Sequence, residues 1–200
     1  MPKDTFYNLP EEKQRRILEA AKKAFSEKHY KAVTIDSIVA LANIPKGSFY
    51  QYFDNKDDLF KYMFSDLGVD KKKELFDELE QSKHLKFSEL ILRMIQRASR
   101  FETKDASMLG LKERFLNETS QDVKKEILSD MIPDTMELFE KIIKVYIHNK
   151  DFREDIDVDI VAFILTSVTM NIDQYPLSVE ANYGDVLIKI CNVLEKGLRS

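Results

Sequence analysis

The chain has 200 residues, of which 44% are apolar and 33% are charged, a composition that supplies a hydrophobic core and excludes a disordered protein. Its 5 glycines and 5 prolines disfavour an all-β sandwich, and no apolar run approaches the roughly 18 to 20 residues that span a bilayer. Cys191 is the only cysteine, and the charged N-terminus lacks the apolar segment of a signal peptide. These features predict a soluble protein of the reducing cytoplasm, with no membrane association.

The formal net charge of −4 argues on its own against a nucleic-acid-binding protein. The charge is unevenly distributed, however, because residues 1–60 carry ten Lys and Arg against nine Asp and Glu. The other 140 residues carry 21 basic and 26 acidic residues. Phosphate contacts depend on locally placed cations, so this weak signal favours the N-terminal segment as the place for any nucleic-acid contact.

The N-terminal part of the chain predicts three helices separated by short breaks. Pro10, followed by two acidic residues, predicts the start of a first helix that ends at residues 28–30. Thr34 predicts the N-cap of a second helix of about two turns. Asn43 and Pro45 end that helix, since asparagine tolerates left-handed backbone and proline resists continuing a helix. A third helix is expected to start at Pro45.

Six more helices are predicted in the rest of the chain. Asn55 is expected to cap a long one, Asp157 to cap a later one, and Pro133 to kink or split the helix in which it lies. After the long helix, apolar periodicity predicts helices at about residues 86–101, 105–117, 120–149, 157–174 and 183–198. Nothing resembles a convincing strand, so the fold class is all-α with about nine helices.

Residues 44–60 form a short stretch that concentrates aromatic residues behind a Pro-Lys-Gly-Ser start. A helix beginning at Pro45 places Phe49 and Phe53 on one face, four residues apart, where both can be buried. The polar residues then lie on the other faces, where lysine and glutamine suit base edges and hydroxyl groups suit phosphates. The second and third helices thus predict a helix-turn-helix unit.

Two other interpretations of this stretch stay open at this point. The aromatic residues could all belong to the core, which is the expected role of Phe49, Phe53 and Phe60. A short β-strand with Tyr50 and Tyr52 on one side also agrees with aromatic preferences. Neither alternative explains the preceding cap, the short helix, the turn and the Lys-Gly-Ser start together.

Residues 13–62 contain a long ordered series, RRILEAAKKAFSEKHYKAVTIDSIVALANIPKGSFYQYFDNKDDLF. The series combines an Ile-Leu-x-Ala-Ala-x-x-x-Phe helix, a Tyr four residues before Thr34, an Ala-Asn-Ile-x-Lys-Gly-Ser-Phe-Tyr-x-Tyr-Phe segment and an Asn-Lys-x-x-Leu helix start. It resembles the N-terminal domain of TetR-family transcriptional regulators, over about a quarter of the chain. The resemblance implies a three-helix DNA-binding domain over residues 1–54 and a helical effector-binding and dimerisation domain over residues 55–200.

The resemblance also implies which residues contact DNA. The predicted set is Thr34, Pro45, Lys46, Gly47, Ser48, Tyr50, Gln51, Tyr52 and Lys56. Within it, Thr34 and Lys56 are expected on phosphates. His29 and Asn43 stand where the family usually has glycine, so both are expected to adopt positive φ. Pro45 replaces a small polar residue that is common there, which removes one possible phosphate contact.

The C-terminal domain is expected, by the same resemblance, to form a homodimer through its last two helices. The predicted interface residues are Val158, Val161, Ala162, Leu165, Val168, Val186, Leu187, Ile190, Val193, Leu194 and Leu198. An intramolecular core would show the same stripes, and the pattern alone does not separate the two. The candidate residues for an apolar effector pocket, each also compatible with ordinary core, are Met63, Phe64, Leu67, Met94, Phe101, Met108, Phe115, Phe139, Tyr146, Phe163 and Thr166.

Enzyme and metal functions find little support in the sequence. The three histidines have no ligand or nucleophile spacing, and the aspartates of residues 155–160 lack the Gly and Glu that a calcium loop needs. We therefore predict a regulator without a catalytic site, metal or cofactor. It would act as a repressor that binds a palindromic operator as a dimer and is released by a small apolar effector. A helical ligand-binding or adaptor protein without DNA binding, and a helical enzyme without a recognisable motif, are the alternatives.

Overall fold

The computed structural model describes residues 2–176 and 182–199 of the chain. The α-helices within these ranges are α1 Asp4–Tyr7, α2 Glu11–Glu27, α3 Ile35–Ala42, α4 Lys46–Tyr52, α5 Lys56–Ser82, α6 Phe87–Glu102, α7 Ala106–Asn117, α8 Gln121–His148, α9 Val158–Met170 and α10 Tyr183–Leu198. Two short 3-10 turns, Tyr30–Ala32 and Ile172–Gln174, precede α3 and follow α9.

The all-α prediction is confirmed for the described residues, which contain no β-strand beyond an isolated bridge between Phe152 and Arg199. The nine predicted helices correspond to α2 through α10. The structure adds α1, a single turn that the sequence did not predict. Within the described residues, no helix is both long and apolar enough to cross a membrane.

The predicted helix caps around α3 and α5 are present. Thr34 accepts a hydrogen bond from the backbone N–H of Ser37 at 3.2 Å, and the Ser37 hydroxyl completes a capping box. Asn43 ends α3 in the left-handed conformation at φ 51°, and Asn55 accepts a bond from the N–H of Asp58 at 2.9 Å. The prediction of a positive φ for His29 is wrong. His29 has φ −55° because it opens the 3-10 turn rather than closing α2.

Two predictions on the later helices also need correction. Pro133 does not split α8, which continues from Gln121 to His148, so of the two alternatives the kink stays a prediction. A proline ring removes one helical hydrogen bond, but a 28-residue helix retains the bonds on both sides. The helix predicted over residues 157–174 ends at Met170, and a 3-10 turn covers the remainder. Its predicted cap is present, since Asp157 accepts from the N–H of Ile160 at 3.1 Å.

The described residues group into two compact units. Unit 1 comprises those in Met1–Val69 and Arg100–Asp130, and unit 2 those in Asp70–Ser99 and Met131–Ser200. The boundaries between the units fall inside α5, α6 and α8. Each unit therefore combines two segments that are separated in the sequence. The functional boundary expected between residues 54 and 55 stays a prediction.

Unit 1 has an aromatic core built around the N-terminal helices. Phe25, Phe49, Phe53 and Phe60 are all fully buried. Helix α7 packs on α2 at Gly110, where a Cβ atom would lie only 2.6 Å from the carbonyl oxygen of Ser26. Glycine is therefore what allows these two helix backbones to approach each other.

Unit 2 has a separate, mainly aliphatic core. Its helices bury Leu90, Ile142 and Ile143 completely, and α9 contributes Ala162 and Leu165. Tyr146 packs edge-on against Phe87 with ring centroids 5.5 Å apart, and its hydroxyl donates to the carbonyl of Leu85 at 2.6 Å. A buried tyrosine hydroxyl with a partner is a stable core arrangement, so Tyr146 has a sufficient structural role.

Candidate nucleic-acid interface

Helix α4 separates buried aromatic residues from exposed polar ones. Phe49 and Phe53 are fully buried, and their tilted rings have centroids 5.7 Å apart. The exposed residues at the start and on the outer face of α4 are Pro45, Lys46, Gly47, Tyr50 and Gln51, and Ser48 is half-buried. Tyr50 keeps 46% of its surface exposed although its ring contacts Phe49. The structure thus brings most of the predicted DNA-binding residues onto one surface.

Gly47 has no packing partner that explains the absence of a side chain. A Cβ atom at this position would find no other atom within 4 Å, and the backbone φ is not positive. Glycine in a helix costs about 0.5–1 kcal/mol relative to alanine. Since the protein itself does not require glycine here, the open space above Gly47 allows an outside molecule to approach the backbone of α4.

Lys46 is exposed and pairs with Asp36 of α3. Its ammonium nitrogen lies 2.8 Å from one carboxylate oxygen of Asp36, and the hydrogen bond to this carboxylate raises the pKa of Lys46. Exposed ion pairs are worth little, so a phosphate or a base edge can replace Asp36 at small cost. Thr34, the predicted phosphate contact at the start of α3, is exposed, and its hydroxyl oxygen already caps the helix.

Tyr52 and Lys56 differ from the other predicted DNA contacts. Tyr52 is only 5% exposed, its ring packs against Phe6 at 6.2 Å, and the ammonium of Lys13 lies over it at 5.6 Å. Lys56 donates to the carbonyls of Tyr30 at 2.8 Å and Val33 at 3.0 Å. Their roles in DNA contact stay predictions, and these contacts give both residues a structural task.

The carboxyl end of α4 is closed by the segment that contains α1. The backbone N–H of Lys3 donates to the carbonyl of Tyr52 at 2.9 Å, and the ammonium of Lys3 donates to the carbonyl of Tyr50 at 2.9 Å. The hydroxyl of Thr5 donates to the carbonyl of Gln51. These contacts join residues more than 40 positions apart, which is why periodicity gave no signal for them.

Tyr30 is a second residue whose role became visible only in the structure. Its backbone N–H donates to Glu118 at 2.8 Å, and its hydroxyl donates to Asp57 at 2.6 Å. Burial, followed by the hydrogen bond to Asp57, raises the pKa of the Tyr30 phenol. In Glu118, burial alone would raise the pKa, but the hydrogen bonds from Tyr30 and Arg114 outweigh it and lower the pKa. Tyr30 therefore connects α5 and α7 to the turn before α3.

A sequence model described as bacterial regulatory proteins of the tetR family matches residues 17–63. These residues cover α3, α4, most of α2 and the start of α5, the helices that carry the exposed polar face. Over these residues, about a quarter of the chain, the protein is similar to the TetR family. The family and the named relatives are transcriptional regulators rather than enzymes.

Comparison with individual proteins supports the family over different lengths of the chain. This chain is 39% identical over 71 residues to the uncharacterized HTH-type transcriptional regulator YhgD of Bacillus subtilis (strain 168), covering 36% of this chain and 37% of that protein. A solved transcriptional regulator from Cytophaga hutchinsonii ATCC 33406 has a TM-score of 0.66 at 19% identity, covering 94% of this chain and 99% of the other. The multidrug binding protein EbrR, solved with imidazole, has a TM-score of 0.62 at 17% identity over 93% and 96%. At such identities the two structures show a shared fold alone.

The chain matches less than two fifths of the length of the curated relatives, with shares of 37%, 22% and 19%. Sequence similarity to these relatives is therefore confined to part of the protein. The solved structures extend the likeness in fold over most of the chain.

The residues predicted to form the dimer interface all lie in unit 2, and most of them are buried or half-buried. Val161, Ala162 and Leu165 are buried in the core of the protomer, as the intramolecular alternative holds. Val186 and Leu198 are also buried, and Val193 is 70% exposed. The remaining members are half-buried: Val158, Val168, Leu187, Ile190 and Leu194. The exposed apolar residues of α9 are different ones, namely Ile160, Phe163 and Ile164.

The predicted effector residues divide between the two units. Those in unit 1 are Met63, Phe64, Leu67, Phe101, Met108 and Phe115, and those in unit 2 are Met94, Phe139, Tyr146, Phe163 and Thr166. Phe64 and Phe115 contact each other with ring centroids 5.0 Å apart. Phe163 is 59% exposed, and the buried hydroxyl of Thr166 has no hydrogen-bond partner among the described atoms.

Proposed function

We propose that the chain is a ligand-responsive, DNA-binding transcriptional repressor whose helix α4 enters the major groove of an operator. The observation that supports this proposal is the outer face of α4, where Lys46, Tyr50 and Gln51 are exposed above fully buried Phe49 and Phe53. A recognition helix needs this arrangement, because apolar anchors fix the helix while polar side chains reach the bases.

The contacts in the proposal differ in what they read. Gln51 and Lys46 offer hydrogen bonds to base edges, whereas Tyr50 and the hydroxyls of Thr34 and Ser48 suit phosphates. Gly47 lets the start of α4 come close to the duplex. Tyr52 and Lys56 serve as supports of α4 and of the turn before α3, because their side chains are occupied within unit 1.

We further propose a homodimer that uses the exposed apolar residues of α9 and α10. Phe163 and Ile160 are 59% and 57% exposed on one face of α9, and Val193 on α10 is 70% exposed. Such residues are stabilised when a second copy removes them from water. A two-fold dimer would present two copies of α4 about 34–36 Å apart, which predicts a palindromic operator.

The effector in this proposal is a small apolar molecule that binds within the helical part after residue 55. EbrR is named as a multidrug binding protein, and its fold is shared. In this chain, the buried and unpartnered hydroxyl of Thr166 would bind a polar group of such a molecule. To release DNA, the effector must bind the DNA-incompetent state more tightly than the competent one.

The proposal is tested by selecting duplexes from a random-sequence library with the purified protein. Enrichment of one palindromic sequence is expected, with binding that weakens steeply as salt rises because phosphate contacts release counterions. Tyr50→Ala should lower affinity for the selected duplex by about tenfold, in the range of one lost good contact. Tyr175→Ala is the matched control, since Tyr175 is 51% exposed and lies in unit 2.

Equal affinity of the Tyr50→Ala protein and the control for the selected duplex would remove α4 as the reading helix. If no sequence is enriched and binding does not change with salt concentration, the result would instead favour a helical ligand-binding protein that does not bind DNA. Sedimentation of the same samples reports the proposed dimer independently of DNA.

A further inference from the structure

The carbonyl groups at the carboxyl end of α4, a helix of seven residues, all accept hydrogen bonds. The last four carbonyl groups of any helix lack partners within it. The carbonyl of Phe49 accepts from the N–H of Phe53 at 2.9 Å. The other three, on Tyr50, Gln51 and Tyr52, are the acceptors for Lys3 and Thr5.

The amino end of α4 is less well held. Pro45 is the N-cap residue and gives no side-chain hydrogen bond to the helix. The position of α4 therefore depends mainly on its buried face and on its carboxyl end, with the exposed Lys46–Asp36 ion pair as the side-chain contact at its amino end.

Residues 3–7, which we call the N-terminal latch, also pack against α4 through an aromatic residue. Phe6 is fully buried, with ring centroids 5.0 Å from Phe53 and 5.3 Å from Tyr62. The Phe6 ring also meets that of Tyr52 at 6.2 Å. The latch is thus anchored in the core while its polar groups reach the end of α4.

Lys3 adds an electrostatic contribution at the same end. Its ammonium lies beside the carbonyl of Tyr50 and 2.6 Å from the carboxylate of Asp54, just beyond α4. A cation at the carboxyl end of a helix is favoured by the helix dipole. The contact is exposed, so its role is to hold geometry rather than to add much stability.

We propose that Lys3 and Thr5 are positioning residues that fix the orientation of α4 and thereby its discrimination between operator and other DNA. The carbonyls they hold belong to Tyr50 and Gln51, whose exposed side chains are proposed to contact a phosphate and a base edge, respectively. If this end of α4 is released, the side chains still reach DNA but no longer hold one register against the bases. This inference rests on the proposed DNA binding by α4.

The test uses Thr5→Val, which removes the hydroxyl donor with little change in shape, and Thr5→Ser, which keeps it. A second variant, Lys3→Met, has Lys23→Met as its control, because Lys23 is an exposed lysine of α2 in the same unit. Each full-length protein is titrated against a library-selected duplex and a scrambled duplex, well below its melting temperature. Hydrogen exchange of the α4 amides is measured on the same samples.

Thr5→Val should weaken binding to the selected duplex by about three- to tenfold, the usual effect of one neutral hydrogen bond, and leave the scrambled duplex unchanged. Thr5→Ser should restore the wild-type ratio. Lys3→Met should lower the ratio in the same way, whereas Lys23→Met should weaken both duplexes equally, as the loss of one charge does. Exchange of the α4 amides should accelerate in Thr5→Val and Lys3→Met alone.

An unchanged ratio in Thr5→Val, with the selected duplex still bound, would overturn the positioning role. Equal weakening of both duplexes by Lys3→Met would assign Lys3 to phosphate contact and would also overturn it. If the wild-type protein selects no duplex, the proposed function fails. Faster exchange of the α4 amides in Thr5→Val would then still show that the latch holds α4 in place. Unchanged exchange would overturn this structural role as well.

Discussion

Helices α4 and α9 both expose a face to solvent, but the two faces have different chemistry. On α4 the exposed residues include Lys46, Tyr50 and Gln51, whose side chains can donate or accept hydrogen bonds. On α9 they include Ile160 and Phe163, whose side chains carry no donor or acceptor. A polar face fits a partner with fixed donors and acceptors, whereas an apolar face fits any surface that is removed from water with it.

This difference explains why one face is specified by residue identity and the other only by residue class. Binding to a base edge requires a side chain with matching donors and acceptors at a given position, so a reading helix tolerates few equivalent residues. An apolar contact accepts many residues of similar size. The sequence of α9 therefore shows that the helix is apolar without showing which side faces outward.

The largest effect is expected from a substitution on the exposed apolar face of α9. Phe163→Arg should convert the proposed dimer to a monomer, because a charge replaces an aromatic side chain that would be buried on association. We expect self-association to weaken by about 100-fold, the effect of losing one strong interface contact. Sedimentation equilibrium measures it, and DNA binding should fall in parallel.

The fold of the Phe163→Arg protein should survive, since Phe163 is 59% exposed in the protomer. Lys73→Glu, at an exposed position of α5, is the control for a change of charge in unit 2. A dimer of unchanged strength in Phe163→Arg would show that the exposed face of α9 serves another partner.

The next prediction tests the close contact between α2 and α7 in unit 1. Gly110→Ala should destabilise the protein by about 1–3 kcal/mol, because its Cβ would lie 2.6 Å from the Ser26 carbonyl and force α2 and α7 apart. Urea unfolding measures the difference. Gly68→Ala is the control, since a Cβ at Gly68 meets no atom within 4 Å and alanine should stabilise the helix. Equal stability of the two variants would contradict the close contact.

A third prediction separates the stability of α4 from its proposed contact with DNA. Gly47→Ala should raise the free energy of unfolding by up to about 0.5–1 kcal/mol, because alanine favours the helix and the added methyl group meets nothing in the protein. DNA affinity should fall nonetheless, since the methyl group occupies the space needed by the duplex. Thermal melting and gel shifts on one preparation measure both. A more stable protein with undiminished DNA affinity would show that α4 does not approach DNA at Gly47.

The smallest expected effect is a pH dependence in unit 1. The pKa of Glu118 is lowered in the folded protein, so its contribution is present above the unfolded value of about 4.3 and is lost as pH falls through the folded value. Glu118→Gln should therefore lower the urea midpoint of unfolding at pH 7. Near pH 3, the difference between the midpoints of the variant and of the wild type should be smaller. Glu19→Gln, exposed on α2, is the control for loss of one carboxylate. A constant gap across this range would contradict the shift.

The sequence predicted features that depend on neighbouring residues and missed those that depend on distant ones. The Thr34 cap and the left-handed Asn43 follow from local backbone chemistry, and both are present. Helix α1 has four residues, too few to show periodicity, and its hydrogen bonds reach across more than 40 positions. The burial of Tyr52 depends on Phe6 of that unpredicted turn. The sequence also gave no signal for the 3-10 turn that His29 opens, and the positive φ expected for His29 is therefore wrong.

The N-terminal latch binds α4 through carbonyl oxygens, which every amino acid carries. Tyr50 and Gln51 can therefore be exchanged for other helix-forming residues while all three acceptors remain. Phe49 and Phe53 anchor the opposite side and need not change with them. Sequence preference is thus separable from the fold on this helix. A library that randomises only the exposed positions of α4 should yield proteins of similar stability that prefer different duplexes.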